Sequence, residues 1–567
     1  VLRADHELSA HKGQLTVDVH GLIGVNVDQF FGIEIEEFPA QIAQVALWLV
    51  DHQMNLRVSV EFGLYFARIP LKSSPQIRHA NALQLDWQEV LPAERCSYVL
   101  GNPPFLGKTY QSKEQKADLA AVMHGIHGAG DLDFVCGWYV LAAQYMQGRA
   151  GTHAAFVSTN SITQGEQVAL LWGEMQRLGM HINFAHRTFQ WSNEASGNAA
   201  VHCVIVGFGP EDQALKTIYE YEDIKGQPHK VITKRINAYL VDAPDVFLNK
   251  RRTPICQVAS MTNGSKPTDG GNLLMNDADK EALVAAEPQA AKWIRPFLGA
   301  EEFINNTARW CLWLVDCPPY ELRALPEVMK RVQAVKAMRL ASAKIATVQS
   351  AGTPSIFGQL RQPINNFIAL PEVSSERRKF IPIGFLDSEI VPSNKIQTIP
   401  NGTLFQFGVL CSTMHNSWMR YTCGRLESRY SYSASIVYNN YPWPGFAGEP
   451  LSDKHSTAIE QAAQCVLDAR AQFASSSLAD LYDPLTMPPA LLKAHQKLDT
   501  AVDAAYQPSG GKKSYASDAE RVAFLFELYQ RITSLLPAPA ARARQTSDSK
   551  AALRTTQISQ LANRNLT

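Results

Sequence analysis

The stretch Cys96-Ser97-Tyr98-Val99-Leu100-Gly101-Asn102-Pro103-Pro104-Phe105 decides how this chain folds. Residues 96–100 read as a strand, and it runs out at Gly101, because neither proline after Asn102 can donate to a ladder. Such a strand is one unit of a longer alternation. On its amino side, residues 30–35 read as a strand and 37–55 as a helix, with Ile42, Val45, Ala46 and Leu49 at helical spacing. Ile77-Arg78-His79-Ala80 is a further strand. On its carboxyl side come helices over 112–124, 134–147 and 164–178, and strands over 153–158, 182–186 and 201–208. Alternating β and α units predict an α/β fold with a largely parallel, doubly wound sheet over residues 1–210.

After Gly209 the composition changes. Residues 211–445 are richer in Pro, Asn and turn pairs, with short strand candidates such as 380–385, and read as an α+β domain. Residues 446–536 are helical, with Ala-rich segments at 456–473 and 490–506, and 537–567 read as a disordered tail. A chain of 567 residues is too long for one core and suggests about three or four domains. Lys plus Arg equals Asp plus Glu at 53 each, so a polyanionic partner must be met by local patches. No apolar run approaches the ~18 residues of a membrane span. The nine cysteines show no zinc spacing, which implies no metal and a reducing, cytoplasmic setting. Val1 opens inside a charged, helix-like stretch, which reads as a cut through a longer protein.

The tetrapeptide carries chemistry as well as a turn. The Asn102 side-chain oxygen and the Pro103 carbonyl can each accept a hydrogen bond from one exocyclic –NH₂ group. Two acceptors keep the nitrogen lone pair out of the ring and aimed at an incoming methyl. The flat face of Phe105 offers a stacking surface for a base. These features point to methyl transfer onto adenine N6, although a plain strand-ending turn would use the same residues. In a doubly wound sheet, ligands sit beyond the carboxyl ends of the strands. Glu34 lies at one such end and can accept from both ribose hydroxyls of a nucleoside cofactor, whereas Glu36 and Glu37 suit a helix N-terminus better. Asn81-Ala82 lies at the next end. There the amide can read an adenine edge or simply make a turn.

This order of parts resembles the methyltransferases that use S-adenosylmethionine to make N6-methyladenine in DNA. Ile33-Glu34-Ile35-Glu36-Glu37-Phe38-Pro39-Ala40, Trp48 to Asn55, Trp191 to His202, Ser375 to Pro382 and Arg429 to Pro444 narrow the likeness to the MmeI-like family of restriction–modification enzymes. The resemblance implies a Rossmann-like methyltransferase domain at 1–210, a target-recognition domain at 211–445 and a helical domain at 446–536. It places Glu34 on the ribose-binding acid, Asn81 and Ala82 at the cofactor adenine, and Asn102, Pro103, Pro104 and Phe105 on the catalytic motif. It also implies S-adenosylmethionine as methyl donor and double-stranded DNA as partner.

Two departures stand out. The family's glycine-rich methionine-binding motif should precede Glu34, but Gly21 and Gly24 do not form it, so the sheet is expected to lack its first strand. The N-terminal nuclease part, a further partner, is also absent. Glu114-Gln115-Lys116 has a nuclease-like form but reads as a solvated helix face.

An adenine within a duplex must be flipped out to reach such a site. Phe105 would stack on one face, and Phe189, or else Trp191, on the other. Asp131 and Asp133 read as helix caps. Lys330, Arg331, Lys336 and Arg339 on one helix, and Arg377, Arg378 and Lys379 at a turn, are the candidate DNA contacts, against the alternative of a solvated basic face. The competing readings are a catalytically inactive DNA-binding remnant and a glutamine or rRNA methyltransferase.

Overall fold

The computed structural model describes residues 25–62, 74–191, 201–446 and 450–534. The tail at 537–567 and the Gly21/Gly24 segment lie outside these residues. The first unit holds β1 (Phe31–Glu34), α1 (Glu37–Phe62), β2 (Gln76–His79), β3 (Tyr98–Gly101), α2 (Lys113–Val122) and α3 (Cys136–Met146). It continues through β4 (His153–Thr159), α4 (Gln167–Arg177), β5 (His181–Trp191), β6 (Val201–Gly209), β7 (Lys216–Glu220) and β8 (His229–Thr233). A six-stranded sheet runs in the order β3-β4-β6-β5-β7-β8. The β3–β4 and β5–β7 pairs are parallel, while β6 is antiparallel to both β4 and β5. β3, β4 and β5 therefore point the same way, and Asn102, the 160–166 loop and the end of β5 all lie at the carboxyl ends of the strands.

Along β4 the side chains alternate half-buried and buried, so Ala154, Phe156 and Ser158 face the core. α3 is apolar on nearly every face and is correspondingly buried. Its Tyr139 stacks on Phe208 at 5.3 Å, meets Phe156 edge-on at 5.2 Å and bonds the Ser158 hydroxyl at 2.8 Å. A side chain buried this fully contributes about 1.5–3 kcal/mol.

The segment ahead of Glu34 in which the glycine-rich motif is expected, residues 1–24, lies outside the described residues. β1 and β2 pair in parallel as a sheet of their own, and β3 is the edge of the larger sheet. Among the described residues no strand joins them. Tyr98 and Leu100 on β3 are 70% and 76% exposed. α1 likewise exposes Phe38, Ile42, Val45, Leu49, Leu56 and Val60, at the spacing of one helix face.

The second unit is α+β. It holds a four-stranded sheet around Ile294–Leu298, another around Phe367–Pro371, and helix α5 (Pro326–Leu340). The strand expected at 380–385 is displaced to Gly384–Leu386. Phe380, Ile381 and Ile383 are buried, but Pro382 has no N–H for a ladder. In the last unit the Ala-rich segments form α6 (Asp453–Ala471) and α7 (Pro489–Tyr506), followed by α8 (Asp518–Thr533). Their core is continuous with that of α3 through Trp418, Tyr441, Trp443 and Phe526. No helix among the described residues is long and apolar enough to cross a membrane.

Candidate active site

Gly101 ends β3 against the Phe156 ring, where a Cβ would sit only 3.1 Å away, so a larger residue there would crowd that ring. Pro103 is buried, Phe105 half-buried and Asn102 exposed. The Asn102 amide makes no hydrogen bond among the described residues, which leaves its oxygen for a ligand. The loop that follows is clamped. Phe134 donates its N–H to the Leu106 carbonyl at 2.9 Å, and the buried Gln111 amide bridges the Leu106 and Leu132 carbonyls at 3.2 and 3.0 Å. Lys108 pairs with Asp131 at 2.8 Å, and that hydrogen bond holds the Asp131 carboxyl below its ordinary range.

Asp131 and Asp133 are not helix caps: α3 has Val135 at its N-cap and no side-chain cap bond. Asp133, 8% exposed, instead accepts from the Thr159 hydroxyl at 3.2 Å and from the Ser161 hydroxyl, tying segment 131–134 to the end of β4. The run Ser158-Thr159-Asn160-Ser161 at a strand's carboxyl end was the available clue to this clamp.

Glu34 and Asn81 come together, because the Glu34 carbonyl accepts from Ala80 N–H at 2.9 Å. One Glu34 carboxylate oxygen accepts from Glu36 N–H at 3.2 Å, leaving the other for a hydroxyl pair. Asn81 is more committed than an edge-reading amide needs to be. Its oxygen accepts from Leu83 N–H at 2.9 Å and its nitrogen donates to Asp118 at 2.8 Å, so a single N–H remains. The Ala82 carbonyl accepts from Trp87 at 2.9 Å. Glu114 is exposed on α2 beside Ser112, as a solvated face should be.

Phe189 stands near the end of β5 within a cluster of His186, Tyr219 and Tyr221 that spacing along the chain did not reveal. Trp191 is the last residue of β5, and its side chain lies outside the described part. The 160–166 loop docks on the second unit. Gly165 N–H donates to the Thr422 carbonyl at 3.1 Å, Arg425 to Gln164 at 3.1 Å, and Lys250 pairs with Glu166 at 2.5 Å. Gly165 sits at φ +63°, where a side chain is strained, and a Cβ there would press on Gly424 Cα at 3.2 Å. Arg187 adds a bond to the Tyr421 hydroxyl at 2.8 Å and to Glu220 at 2.8 Å.

The basic candidates divide. Arg339 is fully buried on the same α5 stripe as Val328, Val332 and Val335, so the expectation of a DNA contact there is overturned. Its five N–H groups are taken by the carbonyls of Thr268, Ser350, Thr353, Pro267 and Ile356 at 2.7–3.1 Å. Arg378 turns inward too: its Nε is buried without a partner, and burial lowers the guanidinium pKa. Lys330 pairs with Glu327 at 2.6 Å, and Arg331 donates to the Asn272 carbonyl at 3.1 Å. Lys336, Arg377 and Lys379 are exposed.

The chain's resemblances follow the same division. Residues 3–220 match the DNA-methyltransferase domain of MmeI, 242–445 its target recognition domain and 451–537 its C-terminal domain. DNA methyltransferase A of Bacillus subtilis (strain 168) is 37% identical over 512 residues, which span 90% of this chain and 56% of that protein. The chain thus covers little more than half of that relative. The type IIL restriction–modification enzyme MmeI, solved in complex with DNA, is 55% identical with a TM-score of 0.82, over 94% of this chain and 70% of the other. The likeness therefore extends over methyltransferase, recognition and carboxyl-terminal parts alike, and the chain belongs to the MmeI family of restriction–modification enzymes.

Proposed function

We propose that this chain methylates N6 of a flipped-out adenine in double-stranded DNA, at a sequence chosen by its recognition domain, with S-adenosylmethionine as methyl donor. The observation that carries the reading is the exposed Asn102 amide, without a hydrogen-bond partner among the described residues, held at a strand end inside a region that matches a DNA-methyltransferase domain. Its oxygen and the Pro103 carbonyl would accept both hydrogens of the adenine amine. Phe105 would cover one face of the base, and Phe189, with Trp191 behind it, the other. Most of the rate then comes from positioning, and the amine proton leaves to solvent.

S-adenosylmethionine supplies the methyl group when bound. Its nucleoside end suits the uncommitted Glu34 oxygen and the remaining Asn81 N–H beside Ala82. Docking of the 160–166 loop on the recognition domain supports delivery of a base to the strand ends. For DNA, Lys336, Arg377 and Lys379 are the proposed phosphate contacts, with Lys330 and Arg331 secondary. Replacing any one of Lys336, Arg377 or Lys379 with alanine should reduce the salt slope of DNA binding by about 0.9, read by fluorescence anisotropy, with thermal stability unchanged. A nuclease part of the same enzyme is the proposed further partner.

One observation favours a second reading, a recognition-only polypeptide: β1 and β2 form a sheet apart from β3. Titration calorimetry of S-adenosylmethionine, with and without duplex DNA, separates the two. The methyltransferase reading expects heat of binding that Glu34→Ala removes. Absence of binding, with salt-sensitive DNA binding retained, supports the recognition-only reading.

A further inference from the structure

We propose that His186 and Tyr221 are positioning residues that brace the Phe189 ring, so that it presents a fixed face to an extruded base. The inference rests on the reading of Phe189 as a base-stacking residue and adds the device that holds it.

The device begins with a bulge. His186 pairs with Ile205 and Phe189 with Cys203, so three steps along β5 match two along β6. In a regular strand three steps would put the two rings on opposite faces of the sheet. The extra residue turns them to the same face, where they meet at 6.3 Å and 65°. β7 supplies the other half. Tyr219 pairs with His186 across the parallel ladder and stacks on it at 4.2 Å and 10°. Tyr221, two residues on, stacks on Phe189 at 5.3 Å and 21°. The Tyr221 hydroxyl lies 2.8 Å from His186 Nδ1, which links the two stacked pairs.

Tyr221 lies past the last ladder residue of β7, Glu220, so the backbone pairing does not hold it. The Gln190 N–H bonds the Ile224 carbonyl at 2.8 Å and holds the following loop to β5, while the histidine bond restrains the Tyr221 ring itself. Burial lowers the imidazole pKa and raises that of the phenol, so at neutral pH both groups are uncharged and bond as donor and acceptor. Plain packing would require rings here but no hydroxyl aimed at a histidine. The cluster is half-buried and stands at the carboxyl ends of β5 and β7, on the side of the sheet where β3 also ends at Asn102, three strands from β5. A tilting stacking ring would let the base slip off the Asn102 and Pro103 acceptors, so bracing has a use at this place.

The test uses the full chain and a duplex bearing its recognised sequence, found by selection from a random pool, with 2-aminopurine replacing the target adenine. Wild type should raise the fluorescence on binding. Tyr221→Phe keeps the ring and removes the tether. It should lower the flipped population about 2- to 10-fold, the size of one hydrogen bond, at unchanged overall DNA affinity. His186→Ala should do the same. In a Phe189→Ala background, Tyr221→Phe should add nothing, because its effect passes through that ring. Wild-type fluorescence in both single variants, or an undiminished Tyr221→Phe effect without Phe189, overturns the bracing role and leaves the stacking role of Phe189 standing. No fluorescence change with the wild type would overturn the base-flipping reading itself, and this inference with it.

Discussion

Asn102→Ala should lower methyl transfer to DNA by about 10²- to 10³-fold, the usual effect of removing one preorganised polar partner from a reacting centre. The loss should fall on kcat and leave DNA affinity within about twofold, since the side chain is exposed, makes no hydrogen bond among the described residues and, in the proposed reading, would meet only the amine of an extruded base. Asn102→Asp tests the same point differently, because a carboxylate still accepts hydrogen bonds and should retain part of the rate. Single-turnover transfer of labelled methyl, with anisotropy for binding, reads both quantities. A fall in affinity with the rate intact would mean that Asn102 contacts DNA outside the reaction.

Arg339→Met is expected to destabilise the recognition domain by about 3–5 kcal/mol. The five carbonyls that converge on the guanidinium would lose their donors in a space closed to water. Lysine cannot replace it, with three donors on one atom against five on a planar fork. Denaturant unfolding should therefore place Arg339→Met and Arg339→Lys well below the wild type, and the exposed Lys336→Met level with it. If Arg339 instead contacted phosphates, its loss would spare stability and flatten the salt dependence of DNA binding.

The strand and helix alternation was legible because each element of the sheet carries its own periodicity. Even the short β3 could be placed, since Pro103 and Pro104 mark its end. Arg339 was misread because proximity to Lys336 suggests a basic face. Its spacing of four, three and four residues along Val328, Val332 and Val335 puts it on the buried stripe instead. Asp133 preceded a helix and read as a cap, while its partners, Thr159 and Ser161, are supplied by a strand that only the folded sheet brings near. The His186–Tyr221 pair lay further out of reach. Its members are brought together by a parallel pairing and a bulge, and a bulge leaves no trace in residue type.

The most direct measurement is mass spectrometry of the nucleosides from target duplex incubated with this chain and methyl-labelled S-adenosylmethionine. The account predicts label in N6-methyldeoxyadenosine alone, on DNA bearing the recognised sequence, and its near disappearance with Asn102→Ala. Label on cytosine, label that persists in Asn102→Ala, or no label while DNA is still bound would contradict it.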